Sequence, residues 1–171
     1  MRSIDRLNDA IGKAVAWLTL GCVLVCFLVV ILRYVFSTGL IWLQEAYIWQ
    51  HGIVFMVGAG YTLLHRGHVR VDILYVRMSD RTKAWVDIFG TVAFLFPWLI
   101  VIASYGHRFI TSSWAILEPS GQPGGIPFVY VLKSMIWVFC LLVGLQGLAM
   151  IGRNLLFLAG DRRYAPEPTA H

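Results

Sequence analysis

The sequence predicts an all-α integral membrane protein with four transmembrane helices and both termini in the cytoplasm. Three observations lead there. First, apolar residues make up 58% of the 171 positions, and Asp, Glu, Lys and Arg together only 13%. A soluble chain carries roughly twice that charged share. Second, the apolar residues are gathered into four blocks. Third, Lys and Arg fall mostly on one side of those blocks. Mean hydropathy is +0.72. A soluble domain of this size has too much surface to cover with so few charges. That excludes a cytosolic enzyme, a secreted scaffold and a disordered tail.

The first block, 14–32, holds nineteen residues and no charge, enough to cross a core of roughly 30 Å as a helix. It has no polar stripe, so in a water-soluble bundle its surface would be apolar all round. Arg2, Arg6 and Lys13 resemble the basic start of a signal peptide, but the run is long and ends in RYVF without a small-x-small site, which reads as a retained helix. Ahead of it, Ile4, Leu7 and Ile11 share one face of an interfacial lead-in. The second block is 42–64, with Glu45 near its start. The third, 85–103, contains Pro97, which a membrane helix tolerates with a bend. The fourth, 128–151, carries Lys133 near its start.

Orientation follows from the basic residues. Eleven lie in 1–13, 66–83 and the tail; only Arg33, Arg108 and Lys133 lie on the other side. The positive-inside rule then puts both termini in the cytoplasm. The net charge of +5 is explained by this topology and calls for no nucleic-acid partner. The cytoplasmic loop alternates apolar and charged groups over 71–85, which suits a short interfacial helix. The stretch 118–127, EPSGQPGGIP, is the strongest breaker run. The chain divides into a single four-helix membrane domain, 1–160, and a flexible cytoplasmic tail, 161–171.

Ionisable and polar groups near the membrane are the candidate sites. Trp42, Glu45 and Trp49 share a helix face and read equally as an outer-leaflet anchor or as a docking face for another protein. One carboxylate near the surface makes no ion pathway. Lys133 can reach the outer interface. Gly144 and Gly147 allow close helix approach, and Gln146 between them needs a hydrogen bond. In GHVRVDILYVR, Gly67 can end the second helix. Arg70 and Asp72 point the same way if the segment is extended and diverge if it is helical. Cys22, Cys26 and Cys140 lie in apolar runs without a Cys-x-x-Cys spacing and read as small fillers. A haem between His51 and His107 is the rival chemistry. It would make the chain the membrane anchor of a redox enzyme. An independent small transporter, or an assembly factor that departs once its complex has formed, would suit a four-helix chain of this kind as well.

These landmarks, taken in order, carry a resemblance. They are RYVF at 33–36, Trp42, Glu45 and Trp49, Gly58 with Ala59, the run Gly67-His68-Val69-Arg70-Val71-Asp72, Pro127, Lys133 and Leu145-Gln146-Gly147. Together they cover most of 30–155. The chain resembles the small membrane subunit of tripartite ATP-independent periplasmic (TRAP) transporters, the DctQ-like subunit. It departs from that family where Gln44 precedes Glu45 in place of a second acid, and where Ile136 and Trp137 stand in place of a proline. The resemblance implies a non-enzymatic subunit of a secondary active, sodium-coupled transporter in the bacterial inner membrane. A periplasmic solute-binding protein delivers an organic acid, and a large multi-helix transport subunit carries it and binds the sodium. The small subunit scaffolds the large one against membrane lipid and helps dock the binding protein, with no cofactor and no catalytic, substrate-binding or metal residue of its own. Trp42, Glu45, Trp49, Lys133 and Gln146 are then expected at the partner interface or as membrane anchors. Gly67, His68, Arg70 and Asp72 are expected as a structural joint.

Overall fold

The structure, a computed structural model, describes residues 1–68, 75 and 77–164. Among these there is no strand. Four long helices run α1 Arg2–Tyr34, α2 Ile41–Leu64, α3 Asp80–Ala115 and α4 Val129–Leu158. Each contains an uncharged stretch of nineteen or twenty residues: 14–32, 46–64, 88–107 and 134–152. At about 1.5 Å per residue each stretch is about 30 Å long, the thickness of a hydrocarbon core.

Of these helices, α1, α3 and α4 are long and apolar enough to cross a membrane by length and composition, where the sequence predicts four. Helix α2 has the length, 24 residues. Gln44, Glu45, Gln50 and His51 in its first half dilute its apolar character.

Helix α4 is the hub and packs on all three others, while α1 lies mainly along α2. A third of α4's most apolar stretch is buried and none of α1's, so α1 turns Trp17, Val23, Leu24 and Phe27 outward. Successive helices run antiparallel, and the start of α1 lies beside the end of α4, with Met1 against Gly152 and Asp5 paired with Arg153. Glycines set the closest approaches. A Cβ on Gly12 would overlap the Tyr61 side chain, and one on Gly60 would meet Asn8 Oδ1 and Leu142 Cβ. Gly147 faces Leu95 and Thr91 across the α3–α4 contact, the close approach that its spacing from Gly144 allows.

Helix α3 passes through a π-helical turn, Thr91–Leu95, directly before Pro97. Proline has no N–H to give and its ring crowds the carbonyl four residues back. The wider turn absorbs this, with the Phe96 N–H donating to the Thr91 carbonyl.

Several boundaries differ from those the sequence predicts. Helix α3 starts at Asp80 rather than near 85, because the Ser79 hydroxyl caps it by accepting from the Thr82 N–H at 3.3 Å. The lead-in is continuous with α1, and its buried residues are Asn8 and Gly12, while Leu7 is exposed. At the end of α2 the left-handed position is taken by Arg66 (φ 54), not Gly67. Gly67 follows it and its N–H donates to the Thr62 carbonyl at 2.8 Å. Within the expected tail, Arg162–Tyr164 forms a 3-10 turn. Of the expected interfacial stretch 71–85, residues 80–85 form the first turns of α3, while 71–74 and 76, with Asp72 among them, lie outside the described residues, as do Arg70 and the tail from 165.

Candidate functional site

Two polar clusters, one at each end of the bundle, hold the helices together. At the end away from the N-terminus, Glu45 sits in the first turns of α2, partly buried. Both its oxygens are occupied from within the chain. The Ser120 hydroxyl donates to Oε1, and the Ile126 N–H donates to Oε2 at 2.6 Å. The Gln122 N–H in turn donates to the Ser120 oxygen at 3.1 Å. A Cβ on Gly125 would stand 2.6 Å from the carboxylate, so the glycine lets the loop close over Glu45. The breaker run 118–127 is therefore folded onto α2 by one carboxylate.

Beside it, Lys133 on α4 forms an ion pair with Glu118 and lies 4.0 Å from the centre of the Phe109 ring. The lysine ammonium holds the Glu118 carboxyl below the usual glutamate range. Trp114 donates from its ring nitrogen to Ser134 Oγ at 2.8 Å and stacks edge-on with Tyr130, at a ring separation of 4.6 Å. The end of α3, the external loop and the start of α4 thus form one bonded unit. Trp42 is half exposed and Trp49 partly buried; the structure does not bring either into the Glu45 cluster.

At the end carrying the N-terminus, Gln146 is fully buried. It accepts from Asn8 Nδ2 at 2.8 Å and donates to Asp5 Oδ1 at 3.1 Å. Arg153 donates to the same Asp5 oxygen at 2.6 Å. Asp9 takes Lys13 at 2.6 Å and His65 at 3.1 Å, and the His65 ring stacks on Tyr61. These bonds tie α1 to α4 and α1 to α2. Asn8, Asp5 and Arg153 escape a reading that seeks apolar stripes. The signal available for them is the Asp5–Asn8–Gly12 face, which points at the bundle.

Other candidates are dispersed. His51 on α2 is exposed, whereas His107 on α3 lies against Trp137 of α4 with a ring separation of 5.8 Å; α2 and α3 share no extended packing. His68 borders an apolar cavity of about 1120 Å³ between α1, α2, α3 and α4, lined among others by Gly58, Ala59, Phe94, Trp98 and Phe139. The buried side-chain oxygen Gln50 Oε1 has no hydrogen-bond partner among the described residues. The chemistry on offer is cohesion between helices and wide apolar surfaces for further contacts.

The comparisons with known proteins agree with that character. The model of the DctQ component of tripartite ATP-independent periplasmic transporters matches residues 22–156, a stretch that reaches all four helices. A similar curated protein is the C4-dicarboxylate TRAP transporter small permease protein DctQ of Vibrio cholerae. It is 26% identical over 131 residues, or 74% of this chain and 56% of that protein. The chain therefore spans little more than half the length of this relative. No solved structure matches significantly.

Proposed function

Since the chain belongs to the DctQ family of TRAP transporter components, we propose that it is the small membrane subunit of a sodium-coupled importer of an organic acid. It scaffolds the large transport subunit in the inner membrane and offers an outer surface to the periplasmic binding protein. Sodium and solute are bound by its partners. The observation that carries this reading is the family match over 22–156; the bonded clusters at both ends support it, since they brace a frame rather than open a path.

In this reading α2 is the fourth span, supported by its uncharged stretch 46–64, and the end rich in Lys and Arg is cytoplasmic. Trp42 and Trp49 anchor the outer interface. Glu45 acts on docking through the loop it holds. Gly67, His68, Arg70 and Asp72 form the cytoplasmic joint, so substitution of Arg70 or Asp72 lowers assembly before it alters solute choice. A frame with broad lipid contact resists tilting while the large subunit moves.

The test is co-purification of the small and large subunits, followed by uptake in vesicles with the binding protein and a sodium gradient. The expected result is uptake that requires this chain, and no uptake by this chain alone. Full uptake without it would refute the scaffold role.

A further inference from the structure

At the end carrying the N-terminus, α1, α2, α4 and the 3-10 turn enclose an open polar cleft of about 580 Å³. It lies where the apolar slab stops: His65 directly follows the uncharged stretch of α2, and Arg153 that of α4. Its charge is unbalanced. Asp5 is engaged by Arg153 and Gln146, and Asp9 by Lys13 and His65. Arg6 and Arg66 line the same cleft, and neither has a carboxylate partner among the described residues. Arg66 is held there in a left-handed conformation (φ 54), which is costly for a residue with a side chain. Leu63 lines both this cleft and the large apolar cavity, so a basic wall leads onto an apolar trough at headgroup depth.

We propose that this cleft is a binding site for the phosphate group of an anionic phospholipid. Arg6 and Arg66 hold the phosphate, and an acyl chain runs past Leu63 along the apolar cavity. A free phosphate offers the arginines the same chemistry but leaves the trough unused. Each arginine at an anionic lipid surface strengthens binding about fivefold, and the pair about thirtyfold.

The test uses the purified full chain, in the complex in which it is isolated, placed in phosphatidylcholine nanodiscs with a rising fraction of phosphatidylglycerol. Native mass spectrometry reads how much of it carries one phosphatidylglycerol. The wild type is expected to saturate, the combined variant R6Q/R66Q to need about thirty times more lipid, and R81Q, a basic position outside the cleft, to match the wild type. Equal Tm values in phosphatidylcholine alone establish folding. If the combined variant does not fold, R6Q carries the test with about a fivefold loss. Equal occupancy in wild type and cleft variants, or an equal loss in R81Q, would overturn the proposal. Inorganic phosphate is added in a parallel arm. Arginine-dependent protection by phosphate, with no retention of lipid, would overturn the lipid source.

Discussion

Replacing Gln146 by leucine should destabilise the bundle, and replacing Asn8 as well should restore much of the loss. In Gln146→Leu the Asn8 amide, 2% exposed, loses its acceptor and water cannot reach it. An interhelical hydrogen bond in a membrane is worth about 0.6 kcal/mol on average and up to about 1.7. Stranding a buried polar group costs about 1–3 kcal/mol. The Arg153–Asp5 ion pair remains and keeps α1 near α4. The single variant should therefore lose about 2 kcal/mol, a roughly thirtyfold change in the unfolding equilibrium. Asn8→Leu should lose a similar amount. In the combined variant both groups are apolar and nothing is stranded, so the pair should couple by about 1–2 kcal/mol. Unfolding of the purified chain by SDS in mixed micelles measures all four proteins of the cycle. Additive losses, or single variants as stable as wild type, would refute the view that Gln146 and Asn8 form a buried bond.

Other outcomes follow from the same geometry. Gly12→Ala should lower Tm, since its new Cβ overlaps the Tyr61 side chain, whereas Gly58→Ala, with nothing within 4 Å, should be neutral or slightly stabilising in the isolated chain. Lys133 depresses the Glu118 pKa in the folded state. Its contribution is therefore present above the unfolded value of about 4.3 and is lost as pH falls through the lower folded value. The Tm difference between wild type and Glu118→Gln should thus be visible at neutral pH, narrow below the unfolded value and close as pH falls through the lower folded value; a constant difference would contradict it. Glu45→Gln replaces the acceptor of the Ile126 N–H with a group that can turn a donor toward it. Protease cleavage within 118–128 should quicken while the helices stay intact by circular dichroism.

The helices are legible in the sequence because an uncharged run of bilayer length leaves little choice. The polar candidates Glu45, Lys133 and Gln146 are legible because each is costly to bury alone. Their partners are not. Asn8 and Gln146 stand 138 residues apart, and no local spacing relates them. The lead-in shows why. Ile4, Leu7 and Ile11 look like the face to bury, as they would be in water. Here Leu7 is left outside and Asn8 and Gly12 turn inward, because lipid is as apolar as leucine and gives helices no reason to hide it. The end of α2 departs from its local pattern too: glycine is the expected left-handed residue, yet Arg66 adopts that conformation.

Whether α2 completes a fourth crossing decides the whole arrangement. Single cysteines placed at residues 3, 81 and 121, in a background lacking Cys22, Cys26 and Cys140, can be treated in intact cells with an impermeant maleimide. Four crossings with cytoplasmic termini predict labelling of Gly121→Cys alone, with Ser3→Cys and Arg81→Cys reacting only after permeabilisation. Labelling of Arg81→Cys from outside with Ser3→Cys still protected would mean that α2 does not cross, and the four-helix frame would not exist.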